Sequence, residues 1–377
     1  MISGEVKYFS DITSYSNDAK EIVRVAMELC QNAISRDYSS TGMGDKSTLS
    51  NLEYEDKNEI TKKAILAFCA TNSGIKEITE KKHLVNAFDR TNFVEMYNAI
   101  IAETLLGVMT KINSSQIMNL ANIHEVDVSD SLTFQIETKG LPVAQRNSYN
   151  NNVVLLDSYS TTPITVTPEV WTTGSSMDYI RILANGFDFG KEMARVVMSL
   201  IYAQYKLIVG ILFDTANLTG TPLYQATFTA VTYTAMISYL QALNSTGVKA
   251  YGTIPAFQAM GAVATTNYGF TTQDEMIRKG YLGQAYGIDN MVIDQSTDLS
   301  APFTNANLAS LLLVPNNKIL LISDTGDKPI KLVRENFIRV MSKEPKAGSL
   351  YKMDYSYTMA FNASLCTQAH YALNTVS

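Results

Sequence analysis

The sequence predicts an α+β fold on three observations. Apolar residues recur at three- and four-residue spacings through the first third of the chain, switch to a two-residue period near residue 131, and return to a helical period over about 189–213 before an extended tail. At 377 residues the chain can bury one large core or two to three ordinary ones. Charged residues make up only 18%, against about a quarter in ordinary globular chains. The net charge of −6 is too mild for an acidic disordered tail and offers no basic excess to grip phosphate.

The helical third opens with Asn17–Arg36, where Ile22, Val23, Ala26, Leu29 and Cys30 line one face. A polar, glycine-containing loop is expected over 39–52, then helices over Asn58–Cys69, Lys76–Phe88 and Asn92–Ile112. The last carries Tyr97, Ile100, Ile101, Leu105 and Val108. These narrow helices joined by polar segments read as an arm that packs on something else. Beyond them, Leu132, Phe134 and Ile136 alternate with polar residues, and Ile164 and Val166 alternate with threonines within an extended region Val153–Val170. Two strands alone are marginal in water, so this long two-stranded excursion is expected to lean on another chain or domain.

Glycines at 186 and 190 argue for a short helix over Met177–Ala184, a break, and then a long helix over about Phe189–Phe213 capped by Asp188. Its buried stripe is Met193, Val197, Leu200, Gln204, Ile208 and Ile211, with Lys191, Arg195 and Lys206 off it. Residues 215–273 then contain one charged side chain, Lys249. A domain exposed to water spreads charge over its surface, whereas interface cores are depleted in it. A helix is expected within this stretch over Ala235–Leu243, two strands around Pro315-Asn316-Asn317 over 308–323, and tail strands at Ile330–Val333, Ile338–Met341 and Tyr351–Ala372.

Chemistry-bearing motifs are scarce. There is no dinucleotide fingerprint, phosphate loop, nucleophile elbow or metalloprotease helix. Three histidines and three cysteines (Cys30, Cys69, Cys366) support neither a zinc site nor a disulfide framework, and the thiols read as small buried hydrophobes. His124-Glu125-Val126-Asp127-Val128-Ser129-Asp130 is rich in carboxylates but lacks the glycine and spacing of a calcium loop. No catalytic residue, cofactor or metal is assigned. Val196–Phe213 is the one span of membrane length, and Gln204 and Lys206 within it favour a buried helix; no signal peptide is read at the N-terminus.

The most specific segment runs from a short helix, Gln273–Lys279, into Gly280-Tyr-Leu-Gly283-Gln-Ala-Tyr-Gly287 and a strand over Met291–Ile293. Gly280 suits the left-handed position after a helix, Gly283 a strand bend or close backbone approach, and Gly287 a turn. This segment resembles the glycine-punctuated part of the axial domain in tailed-bacteriophage major capsid proteins of the Hong Kong 97 type. The order of elements over about 92–377 resembles that family too.

The resemblance implies an N-terminal helical arm over 1–125 and an extended two-stranded loop over 126–172. It implies a peripheral domain with the spine helix over 173–214, an axial domain over 215–325, and peripheral return strands over 326–377. By the same resemblance, Leu132, Phe134, Ile136, Ile164 and Val166 are candidate subunit-interface residues, and Gly280, Gly283 and Gly287 are structural glycines of the axial domain. The implied function is a non-enzymatic shell subunit that assembles as pentamers and hexamers into the head of a tailed phage. Its partners would be copies of itself, with a separate scaffolding protein, a portal and decoration proteins. The shell would enclose double-stranded DNA without reading sequence, bind no membrane, and be assembled in the host cytoplasm before residing in the virion. Two alternatives stand beside it: an encapsulin-like nanocompartment shell, and a cytosolic enzyme with a dispersed site.

Overall fold

The computed structural model describes residues 17–38, 51–75, 78, 80–111, 120–137, 161–178, 187–264, 278–293, 295, 312–325, 327–343, 352–366 and 371–376. The chain opens with helices α1 (Asn17–Tyr38), α2 (Asn51–Asn72), α3 (Lys81–Phe88) and α4 (Thr91–Lys111). It continues through β1 (Ala121–Val126), β2 (Leu132–Glu137), β3 (Thr161–Val166) and β4 (Glu169–Asp178) to helix α5 (Phe189–Leu212). Then follow β5 (Tyr224–Gln225), α6 (Ala230–Asn244), β6 (Val248–Gly252), α7 (Ile254–Ala264), β7 (Gln284–Ala285), β8 (Ile288–Val292) and β9 (Lys318–Ser323). The last strands are β10 (Ile330–Lys343), β11 (Lys352–Leu365) and β12 (Tyr371–Thr375). Helices and sheets share one α+β architecture.

The spine helix α5 follows from its sequence almost residue by residue. The Asp188 side chain accepts the backbone N–H of Lys191 at 2.9 Å, satisfying a donor that the helix leaves open, and Glu192 lies in the positive first turn. Met193, Val197, Leu200, Gln204 and Ile208 are buried and Ile211 half-buried, while Lys191, Arg195 and Lys206 are exposed. At 1.5 Å per residue the 24 residues make a rod of about 36 Å. By length and composition α4 and α5 are each apolar enough to cross a membrane. Each packs much of its apolar surface inside this chain.

One sheet lies against the spine in the order β1-β10-β11-β4, with β1 parallel to β10 and the other pairs antiparallel. Met353, Tyr355, Tyr357 and Met359 of β11 point into the core, while Lys352 and Asp354 are exposed, the alternation that the sequence shows. The two tail segments expected at Ile330–Val333 and Ile338–Met341 are one strand, β10, with a register shift between Arg334 and Ile338. Arg334 is buried and its Nε donates to Glu125 of β1 at 3.1 Å, so the pairing of β1 with β10 carries its own ion pair.

The second sheet has the order β5-β12-β9-β6-β8-β7. Its central strand β9 is apolar and wholly buried from Ile319 to Ile322, as expected of a strand covered on both faces. Helix α6 covers it with Tyr233, Met236, Ile237 and Leu240, and α7 with Phe257 and Met260. The remaining pair, β2 with β3, stands as a two-stranded sheet between β1 and β4 in chain order.

Several expectations need correction. Met177 belongs to strand β4, not to a helix: it pairs with Met353, and its side chain is buried below the Tyr97 hydroxyl, 3.9 Å from its sulfur. Asp178 likewise belongs to β4, opposite Lys352, and residues 179–184 lie outside the described residues. α2 begins at Asn51, inside the stretch expected as loop, and α3 begins only at Lys81. Helix α6 extends from Ala230, five residues before the expected start, because Thr229 caps it through the Thr232 N–H at 3.2 Å. Before Pro315 only residue 312 pairs as an isolated bridge, where a full strand was expected; residues 308–311 lie outside the described set. Finally, β12, grouped with the peripheral return strands, sits inside the second sheet between β5 and β9.

The first-third helices find their packing partner in their own chain. α1 lies on α5 and α4, and α4 on β10. Two glycines set those approaches. A Cβ at Gly107 would sit 2.5 Å from Met27 Cε, and one at Gly190 would sit 2.8 Å from Leu29 Cγ and 3.1 Å from the Leu29 carbonyl oxygen. The three cysteines are free and buried; burial pushes the Cys69 thiol up to about 12 and Cys366 to about 11.

Candidate assembly surfaces

The five apolar residues singled out in the excursion are brought together. Register pairs Leu132 with Val166, Phe134 with Ile164 and Ile136 with Thr162. Directly opposed residues share a face, so Leu132, Phe134, Ile164 and Val166 occupy one face of the β2–β3 sheet; the side chain of Ile136 lies outside the described set. The other face is polar, with Thr133 and Thr165 hydroxyls 2.9 Å apart. Phe134 meets the His124 ring edge-on at 5.0 Å, which anchors the sheet to β1. Val166 is already buried by its own chain, so among the described side chains of this face Leu132, Phe134 and Ile164, each half-buried, are left to meet a neighbour.

The glycine segment is built as its residue types require. Gly280 has φ of +77° and follows the helical residues 278–279; Gly287 has φ of +81° and follows Tyr286 at +53°. Two successive left-handed residues form the tight turn whose twist suits a two-residue hairpin, here β7 to β8. Gly283 keeps no positive φ; its carbonyl accepts the Asn290 N–H at 2.8 Å, and the Asn290 side chain donates to Leu282 O at 2.8 Å. The segment from 273 to 277 lies outside the described residues.

The uncharged stretch now has a location. Lys249 pairs with Asp324 at 2.8 Å, an exposed pair that holds the Lys249 ammonium above its ordinary range and the Asp324 carboxyl below its own. Lys318 donates to the Phe213 carbonyl at 2.9 Å, just past the end of α5. The outward face of α6 therefore presents Val231, Ala235, Ser238, Tyr239 and Ala242 and no charge at all, with Val231 at 78% and Tyr239 at 46% exposure.

A fourth cluster escaped sequence reasoning because its members lie up to 152 positions apart, from Arg36 to Asp188. The Tyr54 hydroxyl donates to Asp188 Oδ1 at 2.6 Å, and the Arg36 guanidinium lies 4.3 Å over the Tyr54 ring and 3.5 Å from Asp188 Oδ2. Arg36 also pairs with Asp37 at 2.8 Å, and this hydrogen bond holds the Asp37 carboxyl below the usual range. Burial, and then the bond to Asp188, push the Tyr54 phenol up. Asn58 clamps the helix start from both sides, donating to Phe187 O and accepting from Phe189 N, each at 3.0 Å. The cluster docks α1 and α2 onto the first turn of the spine.

The carboxylate-rich segment is likewise structural. Glu125 holds Arg334, the Asp130 N–H bonds the Asp127 carbonyl at 3.1 Å, and Ser129, at φ of +67°, donates its N–H to Glu335 at 2.9 Å. Among the described residues no three histidine, cysteine or acidic side chains converge as a metal site would require.

No family model matches the chain, and none of the curated proteins does. Solved structures do. The chain is similar to the capsid structure of cyanophage P-SCSP1u at 8% identity, over 68% of this chain and 86% of that one, with a TM-score of 0.43. It is similar to the capsid of a native GTA particle at 12% identity, over 70% and 90%, also at 0.43. The SrpI encapsulin complex of Synechococcus elongatus matches at 10% identity over 70% and 88%, at 0.39.

Proposed function

We propose that this chain is the repeating structural subunit of a closed protein shell, the major capsid protein of a tailed bacteriophage, and that it performs no catalysis. The observation that carries the reading is the uncharged outward face of α6 on the second sheet. A freely solvated helix gains nothing by excluding charge from its outward face; one that meets copies of itself around an axis avoids desolvating charge there. Around this sheet Lys249 pairs with Asp324, Lys318 donates to the Phe213 carbonyl, and Asp289 accepts from the Gln284 side chain at 2.7 Å. This domain serves as the axial domain, and the first sheet with α5 serves as the peripheral one.

The β2–β3 sheet supports the same reading. Its apolar face of Leu132, Phe134 and Ile164 is only half covered, and a two-stranded sheet is marginal alone. A neighbouring subunit supplies the missing cover. Such head-to-tail contacts close into rings, and repetition makes individually weak contacts strong. The mild negative charge of −6 suits a wall that contains DNA without holding it.

Sedimentation and negative-stain imaging of the purified chain test the proposal. Pentamers, hexamers or closed shells are expected, with packaged nucleic acid in particles from infected cells. Shells filled with a cargo enzyme would replace the viral reading with the nanocompartment one. A chain that stays monomeric at high concentration, with and without a co-expressed scaffold, refutes both.

A further inference from the structure

The two large sheets end in four edge strands, β1, β4, β5 and β7. Exposed edges recruit foreign strands, and proteins blunt them by shortness, charge, proline or bulges. β5 and β7 are two residues each, and β1 is six residues long and carries His124 and Glu125. β4 is different. It runs ten residues in unbroken register against β11, from Glu169 opposite Phe361 to Asp178 opposite Lys352. Between those two acids it holds neither charge nor proline, and Val170 is 73% exposed. Among the described residues, nothing pairs with its other side.

We propose that the open side of β4 is completed by strand addition from a second copy of this chain, and that β2 supplies the strand. The argument for β2 is complementarity. β1 carries His124 and Glu125, the polar and charged side chains that blunt an edge against pairing, which disfavours it as donor. β3 carries Pro163, which has no N–H for a ladder. β2 offers five uncharged residues, Leu132–Ile136, without proline, and among the described residues it is paired on one side only, to β3. The inference rests on the shell reading, because it needs a second copy; it adds which edge of one subunit receives which strand of the next.

Amide hydrogen exchange on unassembled and assembled full-length chain tests it, together with the double variant Val170→Lys/Thr172→Lys. In the unassembled chain, alternate amides of β4 bond to β11 and those between exchange fast. On assembly, the fast set in β4 and the fast set in β2 are expected to slow together by about tenfold or more. The variant is expected to keep the wild-type melting curve and to lose assembly. Assemblies in which the fast β4 amides stay fast overturn the inference and leave the shell reading standing. Slowing of β4 without β2 overturns β2 as the donor. A variant that assembles as well as wild type overturns the role of the edge. Failure of the wild-type chain to assemble at all removes the shell reading and this inference together.

Discussion

Replacing Gly190 by alanine should destabilise the protein, although alanine is the better helix former. The new Cβ would lie 2.6 Å from the Tyr54 hydroxyl, 2.8 Å from Leu29 Cγ and 3.1 Å from the Leu29 carbonyl oxygen. Leu29 is fully buried and has no room to retreat, and the Tyr54 hydroxyl is tied to Asp188 at 2.6 Å. Overpacking of this kind costs about 1–3 kcal/mol. The gain from Gly→Ala in a helix interior is at most about 1 kcal/mol, and less in the first turn. A net loss of about 1–2 kcal/mol follows. The control lies on the same helix: Gly210 is exposed, with nothing within 4 Å of its Cβ position. Gly210→Ala should stabilise by roughly 0.5–1 kcal/mol. Urea unfolding of the unassembled chain, followed by circular dichroism, reads both. Adding Tyr54→Phe should show coupling, since it removes one clashing atom and makes the double change cheaper than the sum of the singles. If Gly190→Ala is as stabilising as Gly210→Ala, the docking of α1 on the spine does not depend on the close approach described above.

Asp188→Ala removes both the cap of α5 and the acceptor of Tyr54; a loss of about 1–2 kcal/mol is expected in the same urea assay. Glu103 of α4 is buried with one carboxylate oxygen unpartnered, and burial raises its pKa to about 7. A raised carboxyl favours the fold while protonated, so stability should fall as pH rises from about 4.5 through 7, by at most about 1.4 kcal/mol per unit. Glu103→Gln should abolish that part of the slope, and urea midpoints at pH 5 and 8 that shift equally in both proteins would contradict it. Gly287→Ala places a side chain at φ of +81° and should cost about 1–2 kcal/mol, seen as faster amide exchange in β7 and β8. Val231→Lys with Tyr239→Lys, both on the exposed face of α6, should leave the melt unchanged within about 0.5 kcal/mol while reducing assembly by sedimentation.

Local features were legible in the sequence because local physics decides them. The Asp188 cap, the buried stripe of α5, the alternation of Met353, Tyr355 and Tyr357, and the left-handed Gly280 and Gly287 all follow from residues within one or two turns of one another. The register of β2 with β3 follows too, since one face is apolar and a one-residue slip would invert it. Met177 was misread because its neighbours allow either period, and only the ladder with β11 selects the strand.

Long-range pairing was decided by the tertiary structure alone. β1 lies parallel to β10 about two hundred residues away, sealed by Glu125 and Arg334, and β12, next in chain order after β11 of the first sheet, pairs between β5 and β9 of the second. No pattern within either strand names its partner, because backbone groups pair alike whatever the sequence and only competing burial chooses among strands. Gly190 shows the same division in one residue. By composition it is a poor helix former; packed against Leu29 and Tyr54, it is the gap that lets two helices meet.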